Sequence, residues 1–174
     1  MSALTRYPKV PIWRRAAALA VDCLPAGGFS ILAANHLGFW LMVFVPVWLG
    51  LRVAVGLNRQ GQSLGRWAFN LRVAKLHQGK MPLLPDLLKR EAVVGLECAL
   101  AVFGMMQLGP MAAWAVILLL PLLGDCALAL ADPVNKQTFH DRIAGTVVIP
   151  SRRGYDLDLR LKKWFAIIRQ SVKK

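Results

Sequence analysis

The chain has 174 residues, 56% of them apolar, with a mean hydropathy of +0.47, yet it carries a formal charge of +13 at pH 7. Those figures agree only if apolar and basic residues occupy separate stretches, and none of the 22 Lys and Arg falls between Ala16 and Leu51 or between Glu91 and Asn135. A soluble domain would mix charge into every helix surface, so the pattern argues against one and makes the basic residues a topology signal before they are a sign of nucleic acid.

Residues 1–12 and the following pair Arg14-Arg15 are basic, with no acid among the first fifteen residues, which keeps this end in the cytoplasm. A first span is expected over 13–34, kinked at Pro25 and Gly27-Gly28. A secretory signal is the competing reading of such a start. Asp22 interrupts the apolar run, no A-x-A site follows, and Val21-Asp22-Cys23 lacks the small residue that a lipoprotein cleavage site requires. Asn35, His36 and Leu37 make an uncharged turn, with His36 read as a solvated loop residue, into a second span over 38–57. Both runs are close to the ~20 residues that cross hydrocarbon.

The polar segment from Asn58 to Arg90 sets seven basic residues against Asp86 and is placed back in the cytoplasm. Within it, 62–76 should hold a short helix capped by Ser63, with Leu64, Trp67, Ala68 and Leu71 facing the membrane surface. A strand over Leu71 to Leu76 follows. Residues 77–88 connect to a second half over 89–150, opening with an apolar tract of about 40 residues, long enough for two spans. Gln107-Leu108-Gly109-Pro110 divides that tract into spans at 91–108 and 111–131, and the motif at 137–150 returns the chain to the cytoplasm. Residues 151–174 form a basic amphipathic helix: Leu157, Leu161, Trp164, Phe165, Ile168 and Val172 share one face, flanked by Lys162 and Lys163 among others. Such a helix docks onto an anionic leaflet or onto another membrane protein, through Trp164, Phe165, Ile168, Lys162 and Lys163.

An internal repeat emerges at a constant offset of 75. Arg14-Arg15, six residues and Asp22-Cys23 recur as Lys89-Arg90, six residues and Glu97-Cys98, and Gln62-Ser63-Leu64 recurs as Gln137-Thr138-Phe139. The expected fold is therefore an all-α membrane protein: a four-transmembrane helix bundle of two parallel helical-hairpin repeats, 13–76 and 89–150, about a pseudo-two-fold along the membrane normal. Leu71 to Leu76 and Thr146 to Pro150 should meet near that axis as a small cytoplasmic antiparallel ribbon.

Trp13-Arg14-Arg15 with Asp22, Gly61-Gln62-Ser63-Leu64-Gly65-Arg66 leading into Leu71-Arg72-Val73, and the stretch from Thr138 to Val148 together resemble the RDD family of prokaryotic membrane proteins. The resemblance covers about residues 13 to 150. The family is named for one arginine and two aspartates, which here correspond to Arg15 or Arg14, to Asp22, and to either Asp141 or Asp132. It implies a protein of the cytoplasmic (inner) or an internal membrane and a role in transport, with sodium–proton antiport proposed for some members.

The spans suggest a layer of ionisable groups, with Asp22, Glu97, Asp125 and Arg52 each a few residues from the cytoplasmic end of its helix. Three acids against one base leave uncompensated negative charge in a low dielectric, so the layer should hold a proton or a bound cation. That reading is proton-coupled movement of a monovalent cation such as Na+, by an oligomer. The competing reading is an accessory or assembly subunit that binds a larger membrane complex through its bundle and C-terminal helix, with Arg52 paired to Asp22 or Asp125 merely to fix packing. Arg66 and Asp141, related by the repeat, are candidates to clamp the halves together. Cys23, Cys98 and Cys126 each follow an acid, but adjacent residues diverge by about 100° on a helix, so no metal is assigned to them. No hydrolase or zinc signature occurs, and neither an enzyme, a cofactor nor a nucleic-acid partner is expected.

Overall fold

Apolar side chains in this chain face outward as readily as inward. The computed structural model describes residues 8, 10–33, 36–76, 78–109, 112–132, 135–151, 155–157, 159, 160, 163, 164 and 167. Helix α1 (Ile12–Ser30) buries Ala18, Asp22, Ala26 and Ser30, one residue per turn on one face. Its other side is also apolar but open, with Leu24 73% exposed. A helix on the surface of a soluble protein would carry charge there.

Helix α2 (Leu37–Asn58) answers with a four-residue stripe of its own, Trp40, Phe44, Trp48 and Arg52. Trp40 and Phe44 stack at 5.5 Å between ring centroids, Phe44 and Trp48 at 5.8 Å, and the Arg52 guanidinium lies 4.5 Å from the Trp48 ring centroid. A π-helical turn over Gly50–Ala54 widens α2 where Arg52 and Val53 turn inward.

The short helix α3 (Leu64–Ala68) leads into strand β1 (Leu71–Lys75). Helix α4 (Leu84–Met106) begins earlier than the span expected at 91–108, because Pro85 in its first turn has the φ a helix start wants and lacks an N–H that would go unpaired. It is the central element, contacting α1, α2 and the last long helix. Two indole N–H groups of α2 tie it in: Trp40 Nε1 donates to the Ala99 carbonyl at 3.0 Å and Trp48 Nε1 to the Glu91 carbonyl at 3.1 Å. Gly95 makes this approach possible, since a Cβ there would sit 2.5 Å from the Trp48 ring.

The last long helix, α5 (Ala113–Ala131), is wound as a 3-10 helix over Ala113–Leu119 and as an α-helix from Leu120. Pro121 supplies the reason, because in an α-helix its ring would strike the carbonyl four residues back. Helix α6 (Phe139–Ile143) and strand β2 (Thr146–Pro150) complete the fold. Strands β1 and β2 pair antiparallel, with Leu71 opposite Pro150, Val73 opposite Val148 and Lys75 opposite Thr146. Helix α3 departs from the expected orientation: it packs through Gly65, Arg66 and Ala68, while Leu64 is exposed. The small residue at 65 decides this, because it brings the α3 backbone against α1.

The structure is thus mostly helical, and two of its helices, Leu37–Asn58 and Ala113–Ala131, are long and apolar enough to cross a membrane. Only 17% of the apolar window of the second is buried, unlike the core helix of a soluble protein.

Candidate functional site

Ionisable side chains gather at two places, and the chain's local chemistry explains each. The first gathering starts at Asp22. Its Oδ2 accepts from the Ser63 hydroxyl at 2.6 Å, its Oδ1 accepts from the Gly65 N–H at 2.7 Å, and Arg52 Nε lies 3.4 Å away. Ser63 is positioned because it caps α3, accepting from the Arg66 N–H at 3.3 Å. Gly65 can reach the carboxylate because it has no Cβ; one added there would collide with the Ala18 carbonyl.

From Asp22 the network runs inward. Glu91 is fully buried and takes three arginines, Arg66 Nη2 at 2.5 Å, Arg90 Nη1 at 2.6 Å and Arg52 Nε at 3.1 Å. Arg90 Nε passes the chain to Asp141 Oδ1 at 2.7 Å, where the Thr146 hydroxyl also donates at 3.1 Å. Arg15 Nη1 lies 3.9 Å from Asp141 and donates to the Lys136 carbonyl at 2.5 Å. Burial by itself would raise the Asp141 carboxyl, but Arg90, His140 and Arg15 together hold it well below the usual carboxylate range. Burial, then the Arg52 charge, pull the Arg66 guanidinium down, against the opposing pull of Glu91. Buried ion pairs linked in this way lock elements to one another, and removing one member strands the others.

The second gathering lies on α4, α5 and α6. Thr138 caps α6, accepting from the Asp141 N–H at 3.4 Å, and so presents His140 to Asp125. His140 donates its backbone N–H to Asp125 Oδ1 at 3.2 Å, and its Nδ1 lies 2.8 Å from Asp125 Oδ2. Its Nε2 is 2.9 Å from the Thr138 hydroxyl. Donor atoms of Glu97, Asp125 and His140 all fall within 4.8 Å of one another. Among the described residues no arginine pairs with Glu97 or Asp125. A cavity of about 780 Å³ runs alongside, walled by Asp125, Cys126 and His140 and by α1 residues such as Leu19 and Cys23, and it also reaches Arg52, Arg90 and Asp141 of the first gathering.

The four-member layer expected from the sequence therefore divides. Asp22 and Arg52 belong to the arginine-rich network, whereas Glu97 and Asp125 share the second site with His140. Equal depth along four helices does not specify azimuth, and Asp22 and Glu97 turn to different neighbours. Arg66 and Asp141 do not meet directly but are linked through Glu91 and Arg90. Glu91 itself carries no distinguishing signal when read as the first residue of a span. Of the family arginines, Arg15 reaches the network while Arg14 lies over the Trp13 ring at 5.6 Å. Of the two later aspartates, Asp141 sits in the network and Asp132 shapes the loop before α6, accepting from the Asn135 N–H at 3.0 Å and the Gln137 N–H at 3.3 Å. No metal was assigned from the sequence, yet the Glu97, Asp125 and His140 set has metal-ligand spacing. In the C-terminal segment Lys163 and Trp164 are helical and exposed, Trp164 by 70%, while Lys162, Phe165 and Ile168 lie outside the described residues.

Compared with known families, the chain matches the RDD family over residues 9–145. No curated protein and no solved structure matches it. Together with the two apolar helices, the family match points to a membrane protein.

Proposed function

The chain belongs to the RDD family, and on that footing we propose that it is a small multi-pass carrier that exchanges a cation for protons at Glu97, Asp125 and His140. The observation that carries this reading is the contrast between the two gatherings. Asp22, Glu91 and Asp141 each lie within 4 Å of at least one arginine, which answers their charge. Among the described residues neither Glu97 nor Asp125 has an arginine beside it: Asp125 is held by His140, and Glu97 Oε2 is buried with no hydrogen-bond partner. Two carboxylates in a low dielectric need a proton or a cation, which is the exchange a carrier performs.

In this reading the spans are four, with both termini cytoplasmic, and they form two repeats. Support comes from hydrogen bonds that recur at the offset of 75: Gln62 Nε2 donates to the Leu71 carbonyl at 3.0 Å, and Gln137 Nε2 to the Thr146 carbonyl at 2.6 Å. The left-handed backbone recurs as well, at Gly61 and Lys136 and at Asn70 and Gly145. Val73 faces Val148, its own counterpart, as a two-fold axis through the ribbon requires. The test is flux: proteoliposomes holding the purified protein should dissipate a pH gradient when Na+, K+ or a divalent cation is added, and Glu97→Gln should abolish this.

One observation favours a second reading, an accessory subunit. The outward face of α5 is apolar, with Leu130 69% exposed, and is suited to a second copy or a partner span as well as to lipid. Gentle-detergent purification yielding a fixed partner at fixed stoichiometry, lost on removal of residues 155–174, would favour that reading over the carrier.

A further inference from the structure

We infer that Glu97, Asp125 and His140 bind a divalent transition-metal cation of the zinc, manganese or iron(II) class. The inference rests on the preceding reading for the location of the site and not for transport.

Three features carry it. The first is geometry. One donor from each of α4, α5 and α6 converges within 4.8 Å, and His140 holds the Asp125 carboxylate from both sides, by Nδ1 at 2.8 Å and by its backbone N–H at 3.2 Å. Ligands around one ion lie about 2.0–2.2 Å from it, so the Glu97 side chain has to close toward the Asp125 and His140 pair for all three to bind.

The second is an unmet acceptor. Glu97 is 9% exposed, and its Oε2 is buried with no hydrogen-bond partner. A buried carboxylate oxygen costs free energy unless something binds it, and here it shares a site with two other donors.

The third is the match of charge and softness. Two carboxylates and a neutral imidazole carry two negative charges, which a dication neutralises and Na+ does not. Imidazole nitrogen favours zinc and iron, the two carboxylates suit manganese as well, and alkali ions take oxygen alone. In the metal-free site Arg90 Nη2, 3.3 Å from His140 Nε2, favours the ring proton on Nδ1, facing Asp125. A metal on Nδ1 takes that proton's place and requires one on Nε2, where the Thr138 hydroxyl at 2.9 Å can accept it and Arg90 Nη2 must give up its contact with the ring. The positive charge of Arg90 is already answered by Asp141 and Glu91. The adjoining cavity leaves space for water to complete the coordination shell.

The test uses the full chain, purified in detergent and stripped with a chelator, then titrated with Co2+ as a spectroscopic probe and with Zn2+ in competition. One Co2+ per chain should bind, with visible bands that Zn2+ abolishes and excess Na+ leaves unchanged. Glu97→Gln and His140→Gln should each weaken binding by at least about 10-fold, and Cys126→Ser should leave it unchanged. X-ray absorption of the Zn2+-loaded wild-type protein supplies a readout that needs no variant to fold: nitrogen and oxygen ligands support the site, and sulfur ligation overturns it. Absence of stoichiometric Co2+ binding, or undiminished binding by folded Glu97→Gln protein, also overturns it. Metal binding without flux would leave this site standing and end the carrier reading, whereas Na+ flux without metal binding would do the reverse.

Discussion

Replacing Asp22 by Asn separates a structural acid from an ion-handling one. The wild-type carboxylate answers Ser63 Oγ at 2.6 Å, the Gly65 N–H at 2.7 Å and Arg52 at 3.4 Å. An amide offers one acceptor oxygen, so at least one of those donors loses its partner. Breaking a buried ion pair from one side costs about 3–5 kcal/mol. Arg52 keeps Glu91 at 3.1 Å and the Trp48 ring at 4.5 Å, which places the loss at the lower end, about 3 kcal/mol. At roughly 2–4 °C per kcal/mol for a chain of this size, Tm should fall by about 6–12 °C. Thermal unfolding of the detergent-solubilised protein, followed by tryptophan fluorescence, reads this directly. Glu97→Gln is the companion variant. Its Oε2 has no hydrogen bond to lose, so its Tm should stay within about 3 °C of wild type. A Glu97→Gln protein that unfolds early beside an unchanged Asp22→Asn protein would refute the division of roles.

Further outcomes follow from the same contacts. Gly65→Ala should cost about 1–3 kcal/mol, because its Cβ meets the Ala18 carbonyl and comes within 3.1 Å of Asp22 Cγ. Gly124→Ala, with nothing within 4 Å, should be neutral or slightly stabilising in the same melt, and equal effects would contradict the packing of α3 on α1. Trp48→Phe keeps a ring under Arg52 but drops the hydrogen bond to the Glu91 carbonyl, for a loss of about 1 kcal/mol. Asp141 has a carboxyl depressed in the folded state, facing Arg90, Arg15, His140 and Thr146. It therefore stabilises the fold at pH above the unfolded value of about 3.9, and that contribution is lost as pH falls through the lower folded value. Melts from neutral pH downward should lose the Asp141 contribution only below about pH 4, and Asp141→Asn should flatten that acid limb. An unaltered acid limb in the variant would show that Asp141 carries no such linkage.

Much of this architecture was legible because local chemistry is strong where it sits. The cap at Ser63 and the strand from Leu71 follow from a hydroxyl before an apolar turn and from two-residue alternation, the offset of 75 carries them onto Thr138 and Thr146, and the structure has a cap at each and the antiparallel pair. The RDD resemblance, read from Arg15, Asp22 and the stretch from Thr138, is likewise matched by the family over residues 9–145. What the sequence hid is azimuth. Asp22 and Glu97 occupy equivalent places in the repeat, yet one turns to α3 and Arg52 and the other to Asp125. Glu91 was invisible as a hub because two of its three arginines, Arg52 and Arg66, come from distant stretches of chain, and because Pro85 starts the helix early and carries position 91 into the interior. His140 became a site residue only once Thr138 and α6 aimed it at Asp125.

The central claim is that Glu97 and Asp125 on α4 and α5, which no arginine pairs among the described residues, and not the arginine-bound Asp22, handle a cation. It is tested most directly by proton efflux from proteoliposomes on addition of cation, measured for wild-type and Glu97→Gln protein reconstituted at equal density. The account predicts cation-dependent efflux from wild type and none from Glu97→Gln, although the variant keeps its melting temperature. Equal efflux from the two proteins, or none from either, would contradict it.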